Sequence, residues 1–218
     1  MMSLIVLSGG MDSTVALASS ISDGIGDIET ITFNYGSKHN DMENKSAKII
    51  SDYYGVKNTL VKLDFIAESF KSDLLKTGGE IPEGHYAAES MKSTVVPFRN
   101  GIMLAIAAGF AESIGAKRIV LGNHAGDHSI YPDCRPNFSA SMSDAIRFGT
   151  CDEIELITPF VNKTKTDICM IGQSLEVPFH LTYSCYNGRD RHCGKCGTCF
   201  ERIEAFRDSK ISDPTFYE

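Results

Sequence analysis

The chain is 218 residues long, 42% hydrophobic and 22% charged, with a formal net charge of -7 and a pI near 5.4. Those proportions suit one globular core with a small appendage, and the acidic balance excludes broad nonspecific nucleic-acid binding, which needs basic surface to displace counterions. No run of about 18 apolar residues occurs and no signal-peptide pattern opens the chain, so the expected setting is the cytoplasm, without a membrane partner and with the seven cysteines reduced or metal-bound.

Taken in order, an apolar strand predicted at 4–7 runs into Gly9 and Gly10 and then into helix-compatible residues at 12–21. That is a phosphate-binding shape. Glycine lets the backbone turn tightly and bring N–H groups to an anion, Ser8, Ser13 and Thr14 add hydroxyls, and the helix start directs its unpaired N–H groups and positive dipole end to the same place. Neither a Walker A loop nor a GxGxxG fingerprint is present. Further strands are predicted at 30–35, 59–63, 118–121 and 155–158, alternating with helices at 42–54, 99–114 and 136–147. The alternation predicts an α/β fold, a doubly wound and mostly parallel sheet with helices on both faces, binding ligands at the carboxyl ends of its strands. The aperiodic stretch at 76–97, with Gly78, Gly79, Pro82 and Gly84, is expected to be a lid over the site.

Polar chemistry gathers in the later loops. Arg99 stands at a predicted helix start, where a cation has no dipole reason to be and so faces an anion, and Lys165, shortly after a strand, can reach a phosphate. In GNHAGDHSIYPDCRP at 122–136, Asp133 can accept from a guanine-type edge and Arg135 can fork a carboxylate or phosphate. His124, Asp127 and His128 read as a hydrogen-bonded network in preference to a metal site, and Cys134 as a small buried residue. Cys185, Cys193, Cys196 and Cys199 have the spacing C-x7-C-x2-C-x2-C, which suits tetrahedral structural zinc, although an iron–sulfur cluster also takes four cysteines. His192 is expected to be an exposed neighbour, and Ser184 and Tyr186, as non-ligands, to tolerate substitution better than Cys196.

SGGMDS resembles the PP-loop of the ATP pyrophosphatases, which cleave ATP between its α and β phosphates. With FNYG, VP-x-RN, YPDCR, TPF and the cysteine cluster in the same order, the chain is similar to the 7-cyano-7-deazaguanine synthases over nearly its whole length. The resemblance implies a PP-loop catalytic unit at 1–180 and a zinc-binding segment at 181–218. It implies ATP binding by Leu7, Ser8, Gly9, Gly10, Met11, Asp12, Ser13, Thr14, Val15, Ala16 and Leu17, and catalytic roles for Asp12, Ser13, Arg99 and Lys165. Substrate contacts are implied at Tyr131, Asp133 and Arg135, with one Zn2+ on the four cysteines and Mg2+ accompanying ATP. The implied reaction joins 7-carboxy-7-deazaguanine and ammonia at the expense of ATP to give the nitrile used in queuosine-type synthesis, and a homodimer is an allowed assembly. An amide-forming variant and a PP-loop tRNA sulfurtransferase are the alternatives. Two positions depart from the pattern, Phe98 where the family has Gly and Ser37 where it has Gln, and both are expected to change how long an amide intermediate is retained.

Overall fold

A computed structural model describes residues 1–24 and 26–218. Five parallel strands form the sheet in the order β3-β2-β1-β4-β5: β1 (Ser3–Val6), β2 (Ile28–Asn34), β3 (Lys57–Lys62), β4 (Arg118–Val120) and β5 (Glu155–Ile157). The five strands anticipated from apolar runs are thus all present. From β1 the chain builds outward to β2 and β3, then crosses back to lay β4 and β5 on the other side. The order reverses between β1 and β4, and a crevice opens there at the carboxyl ends.

β1 is apolar because it is covered on both faces. Leu4 and Ile5 are fully buried in different clusters, Leu4 with Ile31 and Ile119, Ile5 with Leu7 and Val120. Each such side chain contributes roughly 1.5–3 kcal/mol over leaving it in water. One face is covered by α4 (Arg99–Ile114) and α5 (Pro136–Gly149), the other by α1 (Met11–Ser22), α2 (Asn40–Tyr53), α6 (Lys165–Ser174) and α7 (Gly197–Ser209), while α3 (Asp64–Ser69) follows β3. The stretch Glu89–Ile114 contains a window long and apolar enough to span a membrane, but half of that window is buried, with Met103, Leu104, Ala107 and Ala111 in the core beside the sheet.

The segment at 76–97 is a wall of the fold. Ile81, Tyr86, Met91 and Val96 are core residues, Gly84 N–H donates to the Lys195 carbonyl, and a 3-10 turn at Glu89–Thr94 closes the stretch. The expectation of a lid is corrected: aperiodic sequence concealed enough apolar side chains to anchor it. α6 was hidden in a similar way, since its start is set by a capping box between Thr164 and Asp167.

The C-terminal segment is held by Arg202, which is completely buried on α7. Its Nε donates to both Asp213 oxygens at 3.2 and 3.3 Å, Nη1 donates to Thr182 Oγ1 at 2.7 Å and Nη2 to the Phe179 carbonyl at 3.1 Å. Burial raises the Asp213 pKa, but Arg202 and the Tyr217 hydroxyl outweigh it and hold the carboxyl below its ordinary value. Its stabilisation is therefore complete above about pH 4 and is lost as pH falls through the depressed folded value. Replacing Arg202 with Met is expected to cost about 3 kcal/mol at neutral pH, because a half-buried carboxylate loses its partner. Urea melts at pH 7 and pH 3 check this: the gap between parent and variant should narrow in acid.

Candidate active site

The loop after β1 builds the anion end of the crevice. Gly9 has φ +84°, and a Cβ there would lie 2.5 Å from the Glu43 carbonyl, so only glycine lets α2 close on this turn. Ser8 Oγ accepts from Gly10 N–H at 3.2 Å, Ser13 Oγ accepts from Ser8 N–H at 3.2 Å, and Thr14 Oγ1 donates to the Gly10 carbonyl at 2.7 Å. Gly10 caps α1 without a side chain, leaving the first-turn N–H groups free to face an anion. Gly122, just after β4, would meet the Asp12 carbonyl at 3.0 Å if it carried a Cβ, which is how closely the two loops converge.

Beside this turn lies a nest of charges. Lys165 is the first residue of α6, and its Nζ is 2.5 Å from Asp12 Oδ2 and 3.4 Å from Glu201 Oε2. Burial disfavours its charge, but Asp12, Glu201 and Asp127 more than compensate and raise its pKa. His124 is buried with Nδ1 accepting from Gly126 N–H, so Nε2 faces Asp127, Glu201 and Asp12 at 3.5, 3.7 and 3.8 Å. Asp127 is also bonded by the Tyr86 hydroxyl at 2.8 Å. Burial raises the Asp127 pKa, but His124 and Lys165 prevail and lower it, whereas burial leaves Glu201 raised. The anticipated hydrogen-bonded network around His124 and Asp127 is there, but His128 does not join it: its Nε2 is buried without a hydrogen-bond partner.

The rest of the cavity is aromatic. Arg99 Nη1 donates to the Tyr35 hydroxyl at 3.1 Å, and the hydroxyls of Tyr131 and Tyr186 meet at 3.0 Å. His39, Glu43, Asn100, Asn123 and Cys134 complete this wall. Burial raises the Cys134 pKa, so this thiol stays protonated, accepting from Asn100 Nδ2 at 3.1 Å.

The four cysteines are buried, and their sulfur atoms all lie within 4.8 Å of one another, so they can hold a metal ion. Cys193 Sγ accepts backbone N–H groups from Lys195 at 3.4 Å and Cys196 at 3.3 Å, which fix the sulfur in the turn. The turn also shapes the cavity: Tyr183, Ser184, Tyr186, Thr198 and Glu201 all line it. Thr198 and Glu201 are three apart on α7, hence on one face.

A protein-family model described as "Queuosine biosynthesis protein QueC" matches residues 2–210. The chain belongs to the QueC family. A Porphyromonas gingivalis protein named 7-cyano-7-deazaguanine synthase is 52% identical to this QueC chain over 217 residues, covering 99% of it and 97% of the relative. One of the same name from Desulfotalea psychrophila is 50% identical over 215 residues, covering 99% and 98%. Among solved structures, this chain resembles the U34-tRNA thiolase NcsA of Methanococcus maripaludis with its [4Fe-4S] cluster, at TM-score 0.55 and 12% identity, over 96% of this chain and 67% of that one. It also resembles an NMN synthetase from Francisella tularensis, at TM-score 0.51 and 14% identity, over 97% and 77%. At those identities the likeness is one of fold, that of the PP-loop ATPases.

In this QueC chain Asp12, Ser13, Arg99, Lys165 and Tyr131 share one cavity. Two residues expected beside the substrate do not line it. Asp133 is buried with Oδ2 accepting from Asn100 N–H at 2.7 Å, where it caps α4, and Arg135 is exposed. His192, expected at the surface, is buried; Nε2 accepts from Ser184 N–H at 3.0 Å, and burial foremost pushes its pKa down to about 4. Tyr186 is likewise more than a spacer between ligands. Glu201 and Glu43 were missed, although a carboxylate two residues past the last cysteine and one four residues after His39 were visible signals.

Phe98 and Ser37 are also corrected, because neither side chain lines the cavity. Phe98 has φ 52°, a left-handed conformation that explains glycine in the family pattern, and its ring is exposed with its edge toward Phe138 at 5.7 Å. Ser37 is fully buried at the entry to α2, with its N–H bonded to Asn40 Oδ1. Phe98→Gly is therefore expected to leave the ratio of amide to nitrile unchanged and to shift stability by no more than about 1 kcal/mol, relief of backbone strain offsetting lost ring contact. Product time courses and thermal melts check both statements.

Proposed function

We propose that this chain converts 7-carboxy-7-deazaguanine and ammonia to 7-cyano-7-deazaguanine, using ATP that is cleaved to AMP and pyrophosphate. The observation that carries the reading is a single cavity joining a phosphate-binding turn and Lys165 to an aromatic half holding Arg99. A carboxylate is a poor electrophile, and its oxygen is a poor leaving group. Attack of that oxygen on the α-phosphorus expels pyrophosphate and remedies both. Ammonia then adds at the acyl carbon, AMP departs with the C–O electron pair, and nitrogen loses a proton to give the amide. A second adenylation on the amide oxygen expels pyrophosphate and, with loss of one N–H proton, gives an adenylated imidate; departure of AMP with the C–O electron pair and loss of the remaining N–H proton gives the nitrile.

In this reading the α1 N-terminus, Ser13 and Lys165 take the phosphates, while Arg99 offsets the charge of the acid as two anions meet. Magnesium accompanying ATP fits the carboxylate nest: Asp12 Oδ1 is buried without a hydrogen-bond partner, and Glu201 Oε2 has only the long approach of Lys165. For the cysteines we favour one zinc. Zn–S bonds of about 2.3 Å place sulfurs roughly 3.8 Å apart. Cys193 to Cys199 at 3.9 Å and Cys196 to Cys199 at 3.4 Å bracket that value, whereas a four-iron cluster spreads its thiolates around a larger cube. Four thiolates leave no open position, so the ion's part is to hold residues 181–218 against the catalytic unit at 1–180. The proposed setting is the cytoplasm, with small molecules as partners.

The test is an assay of purified protein with ATP, ammonium and the deazaguanine acid, resolving acid, amide and nitrile by mass spectrometry. Nitrile, AMP and pyrophosphate are expected. ADP and phosphate as the only nucleotide products would overturn the mechanism.

A further inference from the structure

The carboxylates of the crevice divide into two groups. Asp12, Asp127 and Glu201 gather around Lys165 and His124, while Asp133, outside the cavity, is committed to the first turn of α4. Glu43 stands apart, on the first turn of α2 and in the aromatic half of the cavity, with its side chain 18% exposed. Its Oε2 lies 3.3 Å from Nε2 of His39, one turn earlier. His39 is only 3% exposed and is locked in place: its ring lies 5.2 Å from that of Tyr186 at 30° and meets Tyr35 edge-on, while its Nδ1 is buried without a partner. A carboxylate aimed by a fixed imidazole among aromatic faces is the arrangement that recognises a flat ring with two adjacent N–H donors.

We infer that Glu43, oriented by His39, is the specificity-determining residue that reads the amidine edge of the substrate's 2-amino-4-oxo ring. This rests on the reaction proposed above. The two oxygens of an ionised carboxylate accept side by side, matching the ring N–H and the exocyclic amine, while His39 and Tyr186 offer faces on which the ring packs. The adenine of ATP presents a donor beside an acceptor on its pairing edge, so Glu43 also keeps the two rings of this reaction apart. Arg99, in the same cavity, is left for the carboxyl group.

Calorimetric binding and steady-state turnover, each with the deazaguanine acid and with its analogue lacking the 2-amino group, test the assignment in the parent and in Glu43→Gln. The parent should bind the acid at least about 100-fold tighter than the analogue, since a site built to accept a donor rejects the ligand without it. Glu43→Gln should raise Kd and KM for the acid about 100-fold, leave KM for ATP unchanged, and lose most of the discrimination. Unchanged acid binding in Glu43→Gln, a parent indifferent to the amino group, or a variant whose defect falls on ATP would each overturn the inference. A parent that binds the acid in a Glu43-dependent way yet forms no amide or nitrile would uphold it and overturn the proposed reaction instead.

Discussion

Lys165→Met is expected to lower kcat by roughly 100- to 1,000-fold, the range for loss of one preorganised electrostatic group in a dry site. Lys165 stands at the start of a helix, where the dipole opposes a cation, and it is held there by Asp12 and Glu201. Removing it deletes the positive charge offered to the phosphates and leaves three carboxylates facing the incoming anion. ATP–pyrophosphate exchange with the deazaguanine acid should fall in parallel with nitrile formation, because both require the first adenylation. Because the pKa of Lys165 is raised, its charge persists to higher pH than that of a free lysine, and no lysine deprotonation should appear in the rate profile below about pH 10. A variant with near-parental exchange and an intact melting transition would remove Lys165 from the mechanism.

Stripping the metal should be as damaging to turnover and should act through shape. The turn at 185–199 carries Tyr186 into contact with Tyr131 and launches α7, whose Thr198 and Glu201 line the cavity. Elemental analysis should find one zinc per chain. Chelation, or Cys196→Ser, should release buried thiols to titration and cut activity by at least 100-fold. The sheet, whose central strand is buried by apolar side chains on both faces, should retain most of its far-UV signal. Tyr186→Phe should also reduce activity, by about tenfold, since a network hydroxyl is lost without a ligand being touched. Metal-free protein with full activity and protected thiols would contradict this account.

Local chemistry in the sequence was enough for the strand, the turn and the helix that make the candidate phosphate site, because glycines, hydroxyls and an apolar run must be contiguous to work. It was also enough to single out the cysteine turn, whose four thiols lie within one short stretch and converge so that they can hold a metal ion. What it left open was which distant groups meet. Lys165 and Asp12 are 153 residues apart, and Glu201 joins them only because α7 packs beside α6. Asp133 looked like a substrate contact until the fold brought the N-terminus of α4 within hydrogen-bond reach. Phe98 looked like an intrusion into the site until its positive φ turned the ring outward onto Phe138. Periodicity reports which face of an element is buried, whereas the partner of a polar side chain depends on where the sheet order reverses and on which helices then share a crevice.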